Sequence, residues 1–181
     1  PVPYRAPNFD MESYQKTYDN LLELSRGVTG TDRMFGKKEE VSEVRHLLGT
    51  AAGWGGLPTS EAYYIIKSEP RPLQDYELTV PKEVPVNGFW SISVYNKDGF
   101  FEENSYNSYS LNNLTAKPNE DGSITVRFGT DKGDKDNFLF IMEGGNYTVR
   151  LYRPQACVLD GSWSFPEPKA VEEKKRKADE M

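Results

Sequence analysis

The feature that most restricts this chain is a change of hydrophobic period near Tyr63. Before it, apolar residues recur at helical spacing; after it, they recur at every second position. Tyr76-Glu-Leu-Thr-Val80 puts Tyr76, Leu78 and Val80 on one face and Glu77 and Thr79 on the other. Ser123–Phe128 sends Ile124, Val126 and Phe128 to one side, and Tyr147–Tyr152 alternates Tyr147, Val149 and Leu151 with Thr148, Arg150 and Tyr152. Asn96-Lys-Asp-Gly99 and Asn119-Glu-Asp-Gly122 set Asp-Gly where a tight turn needs positive φ. Short strands joined by such turns predict an α+β chain, mainly β: an antiparallel β-sandwich preceded by two short N-terminal helices.

Those helices have their own signals. Asp10 can cap a helix whose stripe is Tyr14, Tyr18, Leu21 and Leu22, with Gly27 to end it. A second helix is expected from about Lys38 to Thr50, with Val41, Val44, Leu47, Leu48 and Ala51 on one face. Gly53-Trp-Gly-Gly56 then breaks the chain. The division expected is a helical extension over 1–30, a sandwich domain with its opening helix over 31–168, and a charged tail over 169–181, flexible or helical. Glu172 and Glu173 stand four residues before Arg176 and Lys177, the favourable helical pairing, so the run Lys174–Lys177 reads as a solvated face.

Composition excludes several functions. The chain is 181 residues long with a net charge of −6, and an acidic surface repels phosphate backbones, which argues against nucleic acid. No apolar run, Phe89–Tyr95 included, approaches the ~18 residues of a membrane-spanning helix. One Cys and one His exclude a disulfide framework and a Cys/His zinc site, and no metal or cofactor motif is present. Asp131, Asp134 and Asp136 lack calcium-loop spacing and alternate with lysines. Cys157 has no basic neighbour to activate it. The glycines around Trp54 lack the Lys-Ser/Thr of a phosphate loop. Pro1–Phe9 lacks the basic start and apolar run of an export signal, and composition favours neither a periplasmic or secreted nor a cytoplasmic residence.

Phe89-Trp-Ser-Ile-Ser-Val-Tyr95 is the most informative segment. Trp90, Ile92 and Val94 can fill a core, leaving Ser91, Ser93 and Tyr95 on the opposite face. With Arg150 and Tyr152 on a neighbouring strand, that face becomes a wall of hydroxyls, rings and one guanidinium, suited to a glycan or a carboxylate. The plainer reading is hydroxyls that face solvent or pair across strands. The sole histidine, His46, could act as a general base with a carboxylate such as Asp98 or Asp160, supported by Arg45, Tyr63 or an Asp, although nucleophile-elbow and zinc-helix signatures are missing. A histidine beside core residues also serves as a hydrogen-bonded structural group.

Arg45-His-Leu-Leu-Gly-Thr-Ala-Ala-Gly-Trp-Gly-Gly-Leu-Pro58 with Ala62-Tyr63, Tyr76–Pro81, Val86–Tyr95, Asp98–Phe101, Asn104, Tyr109-Ser110, Asp121–Ser123, Asn137–Leu139, Arg150–Pro154 and Val158–Trp163 together resemble the domain of unknown function 1214. The resemblance covers about Val41 to Pro168. It implies a jelly-roll-like sandwich, often the C-terminal half of two-domain bacterial proteins; here the short helical segment Asp10–Gly27 stands ahead of it. Ser108 and Phe138 depart from the Arg and Trp more usual in the family, and no catalytic set comes with the resemblance. The function expected first is therefore a binding or accessory module for a small polar ligand or glycan, using Ser91, Ser93, Tyr95, Arg150 and Tyr152. The alternatives are a metal-independent hydrolase or lyase with His46 as base, and a structural or assembly subunit, a homo-oligomer included, presenting Phe100 and Tyr106.

Overall fold

A computed structural model of the chain describes residues 3–28, 30–53, 55–67 and 72–171. It divides into two compact units, 1–62 and 63–181. Trp54 and the basic run 174–177 lie outside the described residues.

In the first unit α1 spans Met11–Ser25. Asp10 is its N-cap, accepting a hydrogen bond from the Ser13 amide at 3.2 Å, and Glu12 complements the positive end of the helix dipole. Tyr14 and Tyr18 stack along one face with ring centres 6.3 Å apart, and α1 packs on α2. The second helix, α2, spans Glu43–Gly53 and starts five residues later than its apolar spacing suggests. The Glu40 carboxylate accepts from the Lys37 amide at 3.0 Å, and the Glu40 amide donates to the Lys37 carbonyl at 2.9 Å. These bonds close a turn where the helix was expected. The expected stripe also fails: Val44 and Leu47 are 67% and 54% exposed, whereas Leu48 is buried. Gly49 explains the rotation. A Cβ there would stand 2.9 Å from the Met34 Cβ, so Met34 occupies the space of the missing side chain. The two compact units divide after Ala62.

Eight strands follow: β1 Ala62–Lys67, β2 Tyr76–Val80, β3 Trp90–Tyr95, β4 Ser110–Asn112, β5 Ile124–Gly129, β6 Phe138–Phe140, β7 Asn146–Tyr152 and β8 Lys169–Ala170, with the short helix α3 (Ala156–Leu159) after β7. They form two four-stranded sheets, ordered β1-β7-β3-β4 and β6-β5-β2-β8. The chain is thus mainly β with a few helices, and Lys169 and Ala170 form the short strand β8. Alternation places the core as the sequence predicts. Leu78, Val80 and Val126 of one sheet and Ile92, Val149 and Leu151 of the other are almost fully buried in one hydrophobic cluster. In register, Leu78 faces Val126 and Ile92 faces Val149.

One pair departs from the antiparallel expectation: β5 and β6 run parallel, Arg127 opposite Phe138. The connection 130–137 reverses twice, through Gly133 and Asn137 with φ near +50°. The Asn137 amide group then anchors the return by donating to the Lys117 and Thr125 carbonyls at 2.8 and 3.1 Å. Ser108, where the related family more often has Arg, stitches β6 in place. Its hydroxyl donates to the Phe138 carbonyl at 2.6 Å and accepts from the Phe140 amide at 3.1 Å. Both Asp-Gly turns form with the left-handed residue at glycine alone, φ +85° at Gly99 and +83° at Gly122. Among the described residues no helix is long and apolar enough to cross a membrane.

Candidate functional site

The polar face of the first sheet is built by alternation on two antiparallel neighbours. On β3, Ser91, Ser93 and Tyr95 point away from the core that Trp90, Ile92 and Val94 fill; on β7, Arg150 and Tyr152 point the same way. Register sets Arg150 opposite Ser91. The guanidinium reaches along the sheet, donating from Nη2 to the Tyr95 hydroxyl at 2.8 Å and from Nη1 to the Ser93 Oγ at 3.3 Å. Its carbon lies 5.7 Å from the Tyr95 ring centre.

Aromatic pairs stand at both ends of this group. Tyr95 stacks on Phe101, with centres 5.1 Å apart and planes 7° from parallel, and Phe101 leans on Tyr109 at 5.5 Å. At the other end Tyr152 stacks on Phe89 at 4.3 Å, held there by the bond from the Tyr152 amide to the Phe89 carbonyl at 2.9 Å. Ser93 is more enclosed than alternation alone implies, only 5% exposed. Its Oγ lies 3.0 Å from the Ser110 Oγ, and the Ser110 hydroxyl donates to the Ile92 carbonyl at 3.1 Å. This hydroxyl is part of the floor beneath Arg150.

Electrostatically the site is one cation among neutral groups. Guanidinium carries five N–H donors, and the two bonds named above leave donors over. Among the described residues no carboxylate lies within ion-pair distance of Arg150. The structure therefore brings Ser91, Ser93, Tyr95, Arg150 and Tyr152 together, and it adds Phe101, Tyr109 and Ser110. Phe101 was open to sequence reasoning: the turn at Asn96–Gly99 is closed by the Asn96 amide donating to the Phe100 carbonyl at 2.8 Å, which returns the chain beside Tyr95. Ser110 was not, because its place depends on β4 pairing with β3.

The other three expected residues fall on two elements. Tyr63 is on β1 in the second unit, whereas Arg45 and His46 are on α2 in the first. His46 Nδ1 donates to the Met34 carbonyl at 2.6 Å, and its ring meets Phe35 edge-on with centres 6.1 Å apart. Arg45 donates to the Asp32 and Gly30 carbonyls at 2.5 and 3.1 Å. Both side chains thus tie the loop 30–36 onto α2. Gly56 has a packing role too, since a side chain there would collide with the Phe35 ring.

Among the described residues no group of three metal-ligating side chains occurs. Two of the three aspartates of the 131–136 loop have side-chain partners. Asp136 pairs with Lys117 at 2.6 Å, and Asp131 accepts from the Tyr106 hydroxyl at 3.2 Å. The Lys117 hydrogen bond holds the Asp136 carboxyl below its ordinary pKa.

Residues 67–156, about half of the chain, match the family described as protein of unknown function (DUF1214). Among solved structures the chain is similar to the VPA0106 protein from Vibrio parahaemolyticus, with 22% identity and a TM-score of 0.67 over 94% of this chain and 48% of that one. It is also similar to an uncharacterized protein from Burkholderia cenocepacia, with 20% identity and a TM-score of 0.48 over 65% of this chain and 31% of that one. The chain thus spans half or less of the length of these structures, and the likeness to the first concerns the fold. No curated protein matches the chain.

Proposed function

Because the chain belongs to the DUF1214 family through residues 67–156, for which no activity is given, we propose a function from its own residues: a binding or accessory module that holds a small polar ligand, a carboxylate or a glycan, on the polar face of the first sheet. In this reading the two sheets are the halves of a jelly-roll-like sandwich, and β3 and β7 present the ligand wall. The observation that carries it is Arg150. A half-buried guanidinium, positioned by two hydroxyls at 2.8 and 3.3 Å and without a carboxylate partner among the described residues, offers ready donors to an anion or to sugar hydroxyls. The stacked pairs Tyr95/Phe101 and Phe89/Tyr152 supply flat apolar contact on either side.

The test is calorimetric titration with a panel of carboxylates and oligosaccharides against the parent chain, Arg150→Ala and Tyr95→Ala. Binding that is lost in both variants supports the reading. Binding with unchanged affinity in both removes the ligand from this face.

A second reading rests on the tautomer of His46. Because a carbonyl only accepts, the bond to Met34 fixes the proton on Nδ1 and leaves the neutral ring's Nε2 as an acceptor, as a general base requires. This supports the hydrolase or lyase alternative. Full turnover by His46→Ala on any ester or lactone that the parent chain processes would eliminate it.

A further inference from the structure

We propose a second binding site, inside the second unit, that takes a neutral aromatic molecule carrying a hydrogen-bonding group, of the phenol, indole or naphthol class. It lies on the reverse side of β7 from Arg150. There Val149 and Leu151, together with Tyr63 on β1 and with Trp163 and Phe165 in the segment between α3 and β8, line a cleft of about 250 Å³. A smaller, mainly apolar cavity of about 50 Å³ shares Lys67 and Tyr147 with it. An apolar cavity of roughly 150 Å³ holds one benzene ring, so the cleft admits one or two fused rings.

Three observations select the ligand class. First, the walls are aromatic and already arranged. Trp163 meets Phe165 edge-on at 6.1 Å, and the Trp163 amide donates to the Cys157 carbonyl at 2.9 Å. Little ordering then remains to oppose binding of a flat ring. Secondly, Lys67 Nζ and Glu167 Oε1 stand 2.6 Å apart in the lining, a cation and an anion side by side. Such a pair sets a donor and an acceptor side by side, and Glu167 has a further partner as well. The pair suits a hydroxyl or an N–H group and disfavours an ion, which would have to break it. Thirdly, the hydroxyl of half-buried Tyr63 has no hydrogen-bond partner among the described residues, which leaves one more polar contact for a ligand that can both donate and accept.

The experiment is an NMR titration of the full chain with naphthol and, separately, with naphthoate, of similar breadth but negative charge. Saturable shifts from naphthol at the Trp163 indole and at the Ile65 and Val149 amides, with naphthoate leaving those signals in place, are the expected result. Arg150→Met, on the opposite face, should keep the naphthol affinity within twofold, and Tyr63→Phe should weaken it several-fold without unfolding the chain. Absence of saturable shifts up to the solubility of naphthol overturns the site. So do shifts confined to the Tyr95 face, or equal responses to naphthoate. Because β7 sends alternate residues to the two faces, failure of carboxylate or glycan binding at Arg150 leaves this inference standing, and the reverse is equally true.

Discussion

At the scale of single residues, Arg150 shows how much a side chain's worth depends on its neighbours. Its hydrogen bonds go to two neutral hydroxyls, which hold it in place without pairing its charge. Hydrogen bonds to a charged group contribute about 1.5–3 kcal/mol, so Arg150→Ala should weaken a bound carboxylate on the order of 10- to 100-fold in calorimetry. Arg150→Lys should recover little of it, because a point charge cannot hold Tyr95 and Ser93 and also grip a ligand in two places. Ser93 is a structural counterpart on the same wall. Replacing it by Ala removes one partner from Ser110 and one from Arg150, yet Ser110 keeps its bond to the Ile92 carbonyl. A cost of about 1 kcal/mol in urea unfolding is expected. A loss of several kcal/mol would mean that the hydroxyl network matters far more than its geometry indicates.

At the scale of elements, two local devices decide where helix and turn begin. The close approach of Met34 to Gly49 sets the rotation of α2. Gly49→Ala gains about 1 kcal/mol of helix propensity but forces a Cβ against backbone-proximal atoms, and overpacking costs typically 1–3 kcal/mol. The net change should lower the melting temperature of the helical unit, and adding Met34→Ala should restore part of it. In the turn before β5, the Asp121 carboxylate accepts from the Ser123 hydroxyl at 2.6 Å and from the Ser123 amide at 2.9 Å. These bonds, the hydroxyl's foremost, hold the Asp121 pKa below its ordinary 3.8. A carboxylate with a depressed folded pKa adds stability that is present above the unfolded value of about 3.9 and is lost as pH falls through the folded one. Asp121→Asn should therefore make stability fall less steeply below about pH 4, as read by denaturant midpoints across an acid series. An unchanged slope would show that the turn keeps its bonds when protonated.

At the scale of the whole molecule, burial divides the chain as sharply as sequence pattern does. None of the residues of α1 is buried, whereas Leu78, Val80, Val126, Ile92, Val149 and Leu151 are at most 1% exposed in one cluster. Hydrogen exchange should follow that contrast: α1 amides exchange through local opening, and β3 and β7 amides only near global unfolding. Equal protection in both would show that the helical unit opens only with the sheets. The sequence by itself determined which residues alternate, hence the inward Trp90, Ile92 and Val94 and the outward Ser91, Ser93 and Tyr95, because a strand's side chains change face at every residue whatever it pairs with. It also determined the Asp10 cap and the glycines of the two Asp-Gly turns, since these depend on bonds and dihedrals within a few residues. Tertiary structure alone decided the rest. Pairing of β3 with β7 brought Arg150 to Tyr95, 55 residues apart in sequence. The chain reversal at Asn137 made β5 and β6 parallel, and Met34 turned α2 so that Val44 and Leu47 face solvent. In each case the deciding contact joins residues with no local signal of one another, and periodicity constrains a face but not the neighbour that face will meet.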